Sequence, residues 1–329
     1  MRRAKDKVRS IFLCMICAGI LLTHGFAGAA DYPSKPVRII VPFVPGGGVD
    51  YAARFVAQKL TEVTGQNAIV DNRAGAGGNI ANEIVAKSAP DGYTLLVTHN
   101  AMAINPALFK QLPYDAVRDF AQVALVGTTT NTLIVNPKVP ARNVKELIAL
   151  FKSKPGEFNY ASSGIGGTAH LGMEYFMMVT GTKVLHVPYK GGAPMLTETV
   201  GGQVQVAVAS LGSAMPFINA KRLVALATTG AKRSAFLPEI PTLQEAGVPG
   251  YEFDIWYGAH APSKTPREII GRLNAMIAKA LTDPAAKQYL AAGGIEAAGR
   301  VSPEEFTRFV RAEIEKMRKV VTASGAQQE

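Results

Sequence analysis

Cysteine is nearly absent from this sequence. Its two examples, Cys14 and Cys17, both lie close to the N-terminus. The chain beyond them therefore offers no disulfide, no thiolate nucleophile and no cysteine metal site. Dense basic blocks are missing too: Lys and Arg are scattered along the chain, which argues against a nucleic-acid footprint. No apolar run after residue 22 approaches the ~20 residues that a membrane span needs. The glycine-rich stretches match neither G-x-G-x-x-G nor the lysine-containing phosphate loop, so a bound nucleotide has little support. His99, His186 and His260 stand in no H-x-x-x-H or mixed carboxylate spacing. Neither a metal site nor any other cofactor is expected.

What is present begins with an export signal. Arg2, Arg3, Lys5, Lys7 and Arg9 form a basic n-region, and Ile11 to Leu22 an apolar core. Ala27-Gly28-Ala29 or Gly28-Ala29-Ala30 then supplies a small-residue cleavage pattern. A single membrane anchor is the alternative, but the apolar run is shorter than the ~20 residues of a span. Neither cysteine follows a Leu-x-Gly/Ala lipobox, so no lipid anchor is expected. Residues 1–30 thus read as a cleavable signal peptide, and a cysteine-free exported chain suits a bacterial periplasm. The formal charge of +10 loses five basic residues and one acid with the signal and falls to about +6, a mild excess suited to anionic small ligands. The remaining length exceeds what one hydrophobic core usually serves, so two lobes are expected.

The chain is organised around Val37 to Phe55. The β-branched run Val37–Val41 has the length of a buried strand, and Pro42 and Pro45 end it. Gly46-Gly47-Gly48 follow, and then Ala52, Phe55, Val56 and Leu60 fall on one helical face. Asp50 lies where a first-turn carboxylate would cap the helix and complement its dipole. A strand, glycine loop and helix in this order can present backbone N–H groups to an anion. A plain tight turn between strand and helix is the competing reading.

Strands alternate with helices beyond this point, which predicts a parallel α/β sheet. Ala68 to Val70 and Tyr93 to Thr98 read as strands. Between them stand the glycine-rich loop Asp71 to Gly78 and the helical spacing of Ile80, Ile84 and Val85. His99-Asn100-Ala101 follow a strand's C-terminal end, where open α/β sheets place ligands. Residues 121–135 read as strand, polar break and strand, a candidate crossing between lobes. The opening pattern then returns. Phe158 to Ala161 is strand-like, Ser162 to Thr168 is a glycine and hydroxyl loop, and Leu171, Tyr175 and Met178 mark a helix with Thr168 as its cap. Two such helix N-termini facing each other across a cleft would clamp a dicarboxylate, or one carboxylate from both sides. Val204 to Ala209, ending at Ser210, and Leu223 to Ala227 are further strands, and Glu252 to Ala261 reads as a second crossing. Ile269 to Leu281 and Pro303 to Val320 read as helices.

Several residues admit a plainer role beside the functional one. Ser162 and Ser163 lack a G-x-S-x-G elbow and an evident base, so they read as loop hydroxyls. His170, in a first helical turn, either donates to a ligand or satisfies its own loop. Trp256 and Tyr257 either wall the cleft or pack the hinge. Tyr189 could reach a ligand with its hydroxyl. Met173, Met177 and Met178 read as core filler.

Together these stretches resemble the substrate-binding proteins of tripartite tricarboxylate transporters, the Bug or TctC family. The resemblance rests on YPSKPVRIIVPFVPGGGVDYAAR, VDNRAGAGGNIA, KSAPDGYTLL, INPALFKQLPYD with RDFAQV, NYASSGIGGTAHLGMEYF, HVPYKGG, GGQVQVAVAS, PEIPTLQEAG, WYGAHAPSKTP and SPEEFTRFVRAEI. These run in order over essentially the whole chain after the signal. The resemblance implies a two-lobed, type II-like periplasmic binding protein, an α/β fold of two Rossmann-like domains joined by two crossing segments. Residues 31–131 with 253–329 would form one lobe and 132–252 the other. A small organic carboxylate would sit between the two glycine loops, held largely by backbone groups and water.

Carried over by position and joined to the readings above, the expected ligand-binding set draws on both halves. The first loop gives Phe43, Gly46, Gly47, Gly48 and Val49, with Asp50 as helix cap, and the next strand end gives His99, Asn100 and Ala101. Thr130 and Asn131 come from the crossing. The second half gives Ser162, Ser163, Gly164, Gly167, Thr168, His170, Tyr189 and Ser210. Side-chain volume at Phe43, Ala101, Thr130 and Ile165 would set specificity. Gln205 and Ala209 replace acidic residues common in the family's GGQVDVMFDS stretch, which leans towards a ligand without an amino group.

The expected function is a periplasmic receptor, not an enzyme. It would deliver a mono-, di- or aromatic carboxylate to the membrane permease subunits of a tripartite tricarboxylate transporter, acting as a monomer without nucleic acid. An orphan signalling receptor and an exported serine hydrolase are the alternatives.

Overall fold

Two sheets, each flanked by helices, account for the fold. The computed structural model describes residues 32–326, so the expected signal peptide over residues 1–30 lies outside the described residues. β1 (Val37–Val41) buries every residue except Arg38. It runs through the first glycine loop into α1 (Gly48–Thr64), whose Ala52, Phe55, Val56 and Leu60 are buried as their spacing predicts. α1 stops at Gly65, at a φ of 70°, a left-handed position that glycine occupies without strain. β2 (Ala68–Asn72), a tight turn at Ala76–Gly78, α2 (Asn79–Ala86) and β3 (Thr94–Thr98) follow. α3 (Ala101–Leu108) starts almost at once after β3.

β4 (Phe120–Thr129) and β5 (Asn131–Val135) are separated only by Thr130. The chain here leaves the first sheet for the second. α4 (Val144–Ser153), β6 (Asn159–Ser162), α5 (Thr168–Thr180), β7 (Leu185–Pro188) and α6 (Gly192–Gly201) belong to the second lobe. So do β8 (Val206–Ser210), α7 (Leu211–Asn219) and β9 (Val224–Thr228). β10 (Ile255–Pro262) brings the chain back, fully buried along its length. α8 (Arg267–Leu281), α9 (Pro284–Ala292), β11 (Glu296–Ala297) and α10 (Pro303–Ser324) complete the chain. Ser302 and Glu305 cap α10 reciprocally, each accepting the other's backbone N–H.

The first sheet has the order β11-β4-β10-β3-β1-β2 and the second β7-β6-β8-β5-β9. Both are mixed, which corrects the expectation of parallel sheets. β1 runs parallel to β2 and β3, as successive strand–helix units require, but β10 is antiparallel to both β3 and β4. In the second sheet β6 is parallel to β7 and β8, whereas β5 is antiparallel to β8 and β9. β5 and β10 carry the two crossings, and each enters its sheet from the other lobe. The point of delivery fixes their direction, and local residue pattern does not encode it.

One buried cluster runs through both lobes, from Ile40, Leu96 and Met102 past Phe306 and Met317 to Tyr160, Leu171 and Phe176. α10 joins them by lying against α3 and β4 and reaching α5. Trp256 packs edge-on against Phe306 and Phe309, so its role is core packing and not a cleft wall. Met173 is buried as core filler, but Met178 is largely exposed, as is Ile80 on α2. Each lies at helical spacing yet just beyond the edge of its buried face.

Candidate functional site

The first glycine loop is held from beneath by a buried carboxylate. Asp50 accepts hydrogen bonds from the Gly46 N–H (3.0 Å), Arg54 Nε (2.8 Å) and Asn72 Nδ2 (3.0 Å). Asn72 also donates to the Phe43 carbonyl at 2.9 Å. Burial by itself would raise the Asp50 carboxyl, but these donors outweigh it and hold its pKa below the usual carboxylate value. The residue therefore does not cap α1 as expected. Gly47 is the N-cap, and no side chain caps the helix. Asp50 is in the first turn of α1, but its carboxylate folds back onto the Gly46 N–H, Arg54 and Asn72 instead of onto a helix N–H. The opposite side of the loop is closed by Tyr257, whose hydroxyl abuts Gly48 where a Cβ would stand.

The second loop is braced by two histidines. Gly166 donates its N–H to His170 Nδ1 at 3.0 Å, so His170 satisfies its own loop. The His170 ring stacks on His186 at 4.1 Å between centroids, and His186 stacks on Tyr160 at 4.8 Å. Desolvation, with the neighbouring His186, drives the His170 pKa down to about 4. Glu174 accepts the Tyr160 hydroxyl at 2.5 Å, and burial raises its carboxyl. Ser162 Oγ lies 2.7 Å from His186 Nε2, which corrects the expectation that the loop hydroxyls have no base beside them. That hydroxyl is fully buried and is also bonded within the loop to Gly164. Thr168 is not the cap of α5: the helix starts one residue earlier, Gly167 is its N-cap, and Leu171 bonds back to the Gly167 carbonyl.

A cavity of about 280 Å³ lies between the lobes beside this second loop. Phe43, Gly77, His99, Ala101, Ile104, Asn105, Leu108 and Phe109 line it from the first lobe. Ser163, Ile165, Gly166, Gly167 and Thr168 line it from the second. Phe43 and His99 stack at 4.6 Å. His99 Nδ1 accepts the Ala101 N–H at 2.9 Å, which leaves the proton of a neutral ring on Nε2. Desolvation lowers the His99 pKa to about 4, so the ring is neutral at physiological pH.

Of the residues singled out from sequence, Phe43, His99, Ala101, Ser163, Gly167 and Thr168 meet at this cavity, together with Ile165. Gly46, Gly47, Gly48 and Val49 stand outside its wall, as do Ser162, Gly164, His170, Tyr189 and Ser210. Ser210 bonds to Ser213 across the start of α7, and the Tyr189 backbone pairs with Ser162. Asn100, Thr130 and Asn131 lie at the crossings. Asn100 donates to the Asp254 carbonyl at 2.8 Å and accepts the Trp256 N–H at 2.9 Å. Asn131 donates to the Phe253 carbonyl, and its own N–H meets Thr229 Oγ1 at 2.9 Å. Beside them the Asp254 carboxyl is pushed up to about 7, mainly by desolvation. Gln205 accepts the Asn159 N–H, and Ala209 is buried in the second-lobe core. Neither lines the cavity, so their identity says nothing there about a ligand amino group.

Sequence reasoning missed Gly77, Ile104, Asn105, Leu108, Phe109 and Gly166. Most lie on or beside α3, whose apolar run Ala101–Leu108 contains Pro106 and shows no clear amphipathic face. Its position directly after a strand's ligand-facing end was the available signal.

Residues 52–326 match the family model described as "Tripartite tricarboxylate transporter family receptor". The chain belongs to this receptor family. Its members are solute-binding receptors, not enzymes, and the hydroxyl–histidine contact at Ser162 is read as loop bracing in that light. The receptor is 36% identical over 311 residues to Protein BugT of Bordetella pertussis, covering 93% of this chain and 95% of that one. Among solved structures it resembles Rpa4515 of R. palustris with adipate at 38% identity and a TM-score of 0.76, covering 90% of this chain and 99% of that one. It also resembles MatC from Rhodopseudomonas palustris with bound malate, at 30% identity and a TM-score of 0.72, covering 88% and 100% of the two chains.

Proposed function

We propose that this receptor is exported to the periplasm by its N-terminal signal, captures a small organic carboxylate between its lobes and delivers it to the permease subunits of a tripartite tricarboxylate-type transporter. Residues 31–131 with 253–329 and residues 132–252 are the two bodies that close on the ligand. The observation that carries this reading is the inter-lobe cavity into which α5 begins. The first N–H groups of a helix have no partner within it, and the helix dipole favours an anion there. Thr168, Ala169 and His170 show no acceptor for their N–H groups among the described residues. The Ser163 and Thr168 side chains flank that position. The carboxylate-bound relatives Rpa4515 and MatC support the same ligand class. Binding needs no chemistry: a ligand that contacts both walls favours the closed form by its differential affinity.

The test is a thermal-shift screen of the chain from Asp31, refolded to remove carried-over ligand, against mono-, di- and tricarboxylic and aromatic acids. A ligand at ~100 times its dissociation constant stabilises by about 2.7 kcal/mol and should raise the midpoint by several degrees. A chemically coherent set of hits is expected. A flat response to every acid would sink the proposal.

A further inference from the structure

The glycine-rich loop Asp71 to Gly78 meets the cavity at one residue, Gly77. It reaches that wall through four successive residues at positive φ: Gly75 at 135°, Ala76 at 48°, Gly77 at 62° and Gly78 at 97°. Glycine takes such angles freely, so the turn has many conformations open to it, and at Ala76 a side chain opposes the one adopted. Inside the turn the hydrogen bonds are local: the Gly78 N–H to the Gly75 carbonyl at 2.9 Å, and the Asn79 N–H to the Ala76 carbonyl. The Gly77 carbonyl is tied from outside, by Asn105 Nδ2 of α3 at 3.0 Å.

Asn105 is itself held by a buried network. The backbone carbonyl fixes which end of its amide is the nitrogen, and the second N–H of that nitrogen goes to Asn79 Oδ1 at 2.7 Å. Asn79 Oδ1 also accepts the Tyr114 hydroxyl at 2.6 Å, and that hydroxyl accepts Asn82 Nδ2 at 2.8 Å. All four side chains are buried, and of them only Asn105 lines the cavity. Asn79 opens α2, yet its side chain does not cap that helix.

Resting on the receptor reading above, we infer that Asn79 is a positioning residue for ligand capture, acting through Asn105 to hold the Gly77 turn and the Phe109 ring in the shape a ligand meets. Two Phe109 ring carbons lie 3.1 and 3.2 Å from where a Gly77 Cβ would stand, so the ring rests on the turn. Without the Asn79 oxygen, Asn105 keeps an unpaired N–H in a buried place and gains by turning away from Gly77 to satisfy it. A wall already in its bound shape spares the ligand the entropy of ordering it.

The test compares Asn79→Leu with the parent chain by two readouts, with circular dichroism to check folding. In the ligand-free protein, hydrogen exchange at the residue 78 and 79 amides should quicken at least tenfold, while the amides of β3 keep their rates. Isothermal titration of the refolded chains with adipate, malate and benzoate should show at least tenfold weaker binding, with the loss in the entropy. Tyr114→Phe, which removes one hydroxyl and keeps the ring that packs edge-on against Phe120, should move both readouts the same way by about threefold. It decides the matter alone if Asn79→Leu does not fold. A network that serves only stability predicts a lower unfolding midpoint with parental affinity, and that result would overturn the inference and leave the receptor reading intact. Weaker binding with unmoved exchange at the turn would overturn it as well. If the parent chain binds no acid, the receptor reading falls, and this inference falls with it.

Discussion

At the scale of single residues, His170 shows how a side chain outside the cavity shapes it. Its Nδ1 accepts the Gly166 N–H, so a proton arriving at that nitrogen would put two donors face to face. The His186 ring stacked on it further disfavours positive charge. The folded His170 takes its proton near pH 4, mainly because it is desolvated, whereas an unfolded histidine takes it near 6.5. Between those values the unfolded state binds more protons, so this residue makes stability fall as pH drops from about 6.5 towards 4. The variant His170→Gln should lose about 1–2 kcal/mol at pH 7, for the broken loop contact. It should also show a shallower decline between pH 7 and pH 4.5 than the parent. Urea midpoints at the two pH values measure both effects, and parallel declines would contradict this account. Such roles are hard to read from sequence. A histidine three residues past a glycine loop is visible, but which atom it turns towards that loop depends on the stack built by Tyr160 and His186 from two other strands.

At the scale of elements, the strand–loop–helix units were legible because each is a short-range pattern. A β-branched run, a glycine break and a 3.6-residue period located β1 with α1, and β6 with α5, to within a residue or two. α3 escaped because its residues are almost all apolar, so there is no polar face to reveal a period. Yet α3 packs closely against the second loop at the cavity. Gly166 stands at a φ of 75°, and a Cβ there would lie 2.5 Å from Leu108 Cδ2. Gly166→Ala thus carries both a backbone penalty and a clash across the lobes, and should destabilise the chain by about 1–3 kcal/mol while weakening ligand binding. Adding Leu108→Ala should recover the part due to the clash but not the part due to φ. A double-mutant cycle in urea unfolding would separate them, and strictly additive effects would argue against the contact.

At the scale of the whole molecule, the lobes meet at a hinge with a half-buried acid in it. The Asp254 carboxyl accepts a hydrogen bond from Thr229 Oγ1 at 3.3 Å, and Glu252 and Glu296 nearby add repulsion to its desolvation. Its folded pKa of about 7 lies above the ordinary aspartate value, so the folded state holds the proton longer. Stability contributed here is present at acidic pH and is lost as pH rises through the interval up to about 7, opposite in sign to His170. Asp254→Asn should remove that decline and stabilise the chain at pH 8 by on the order of 1–2 kcal/mol. Chemical unfolding at pH 5 and pH 8 would check it, and an unchanged difference between the two pH values would refute it. The two-lobed plan could be anticipated from length and from the repeated units. Mixed strand directions could not, because they arise from where β5 and β10 are delivered after crossing.

Those crossings have a mechanical consequence. β4 and β10 pair antiparallel from Phe120 with Pro262 up to Thr129 with Ile255, and just beyond that point the chain passes into the second lobe. Asn100 and Asn131 tie the returning segment alongside. Two bulges interrupt the pairing, at Tyr257/Gly258 and Ala259/His260, and bulges bend and twist a ribbon locally. α10 also packs against elements of both lobes. The two crossings and this shared helix together restrict how the lobes can turn, so a ligand in the gap loses less of its binding free energy to restraining them.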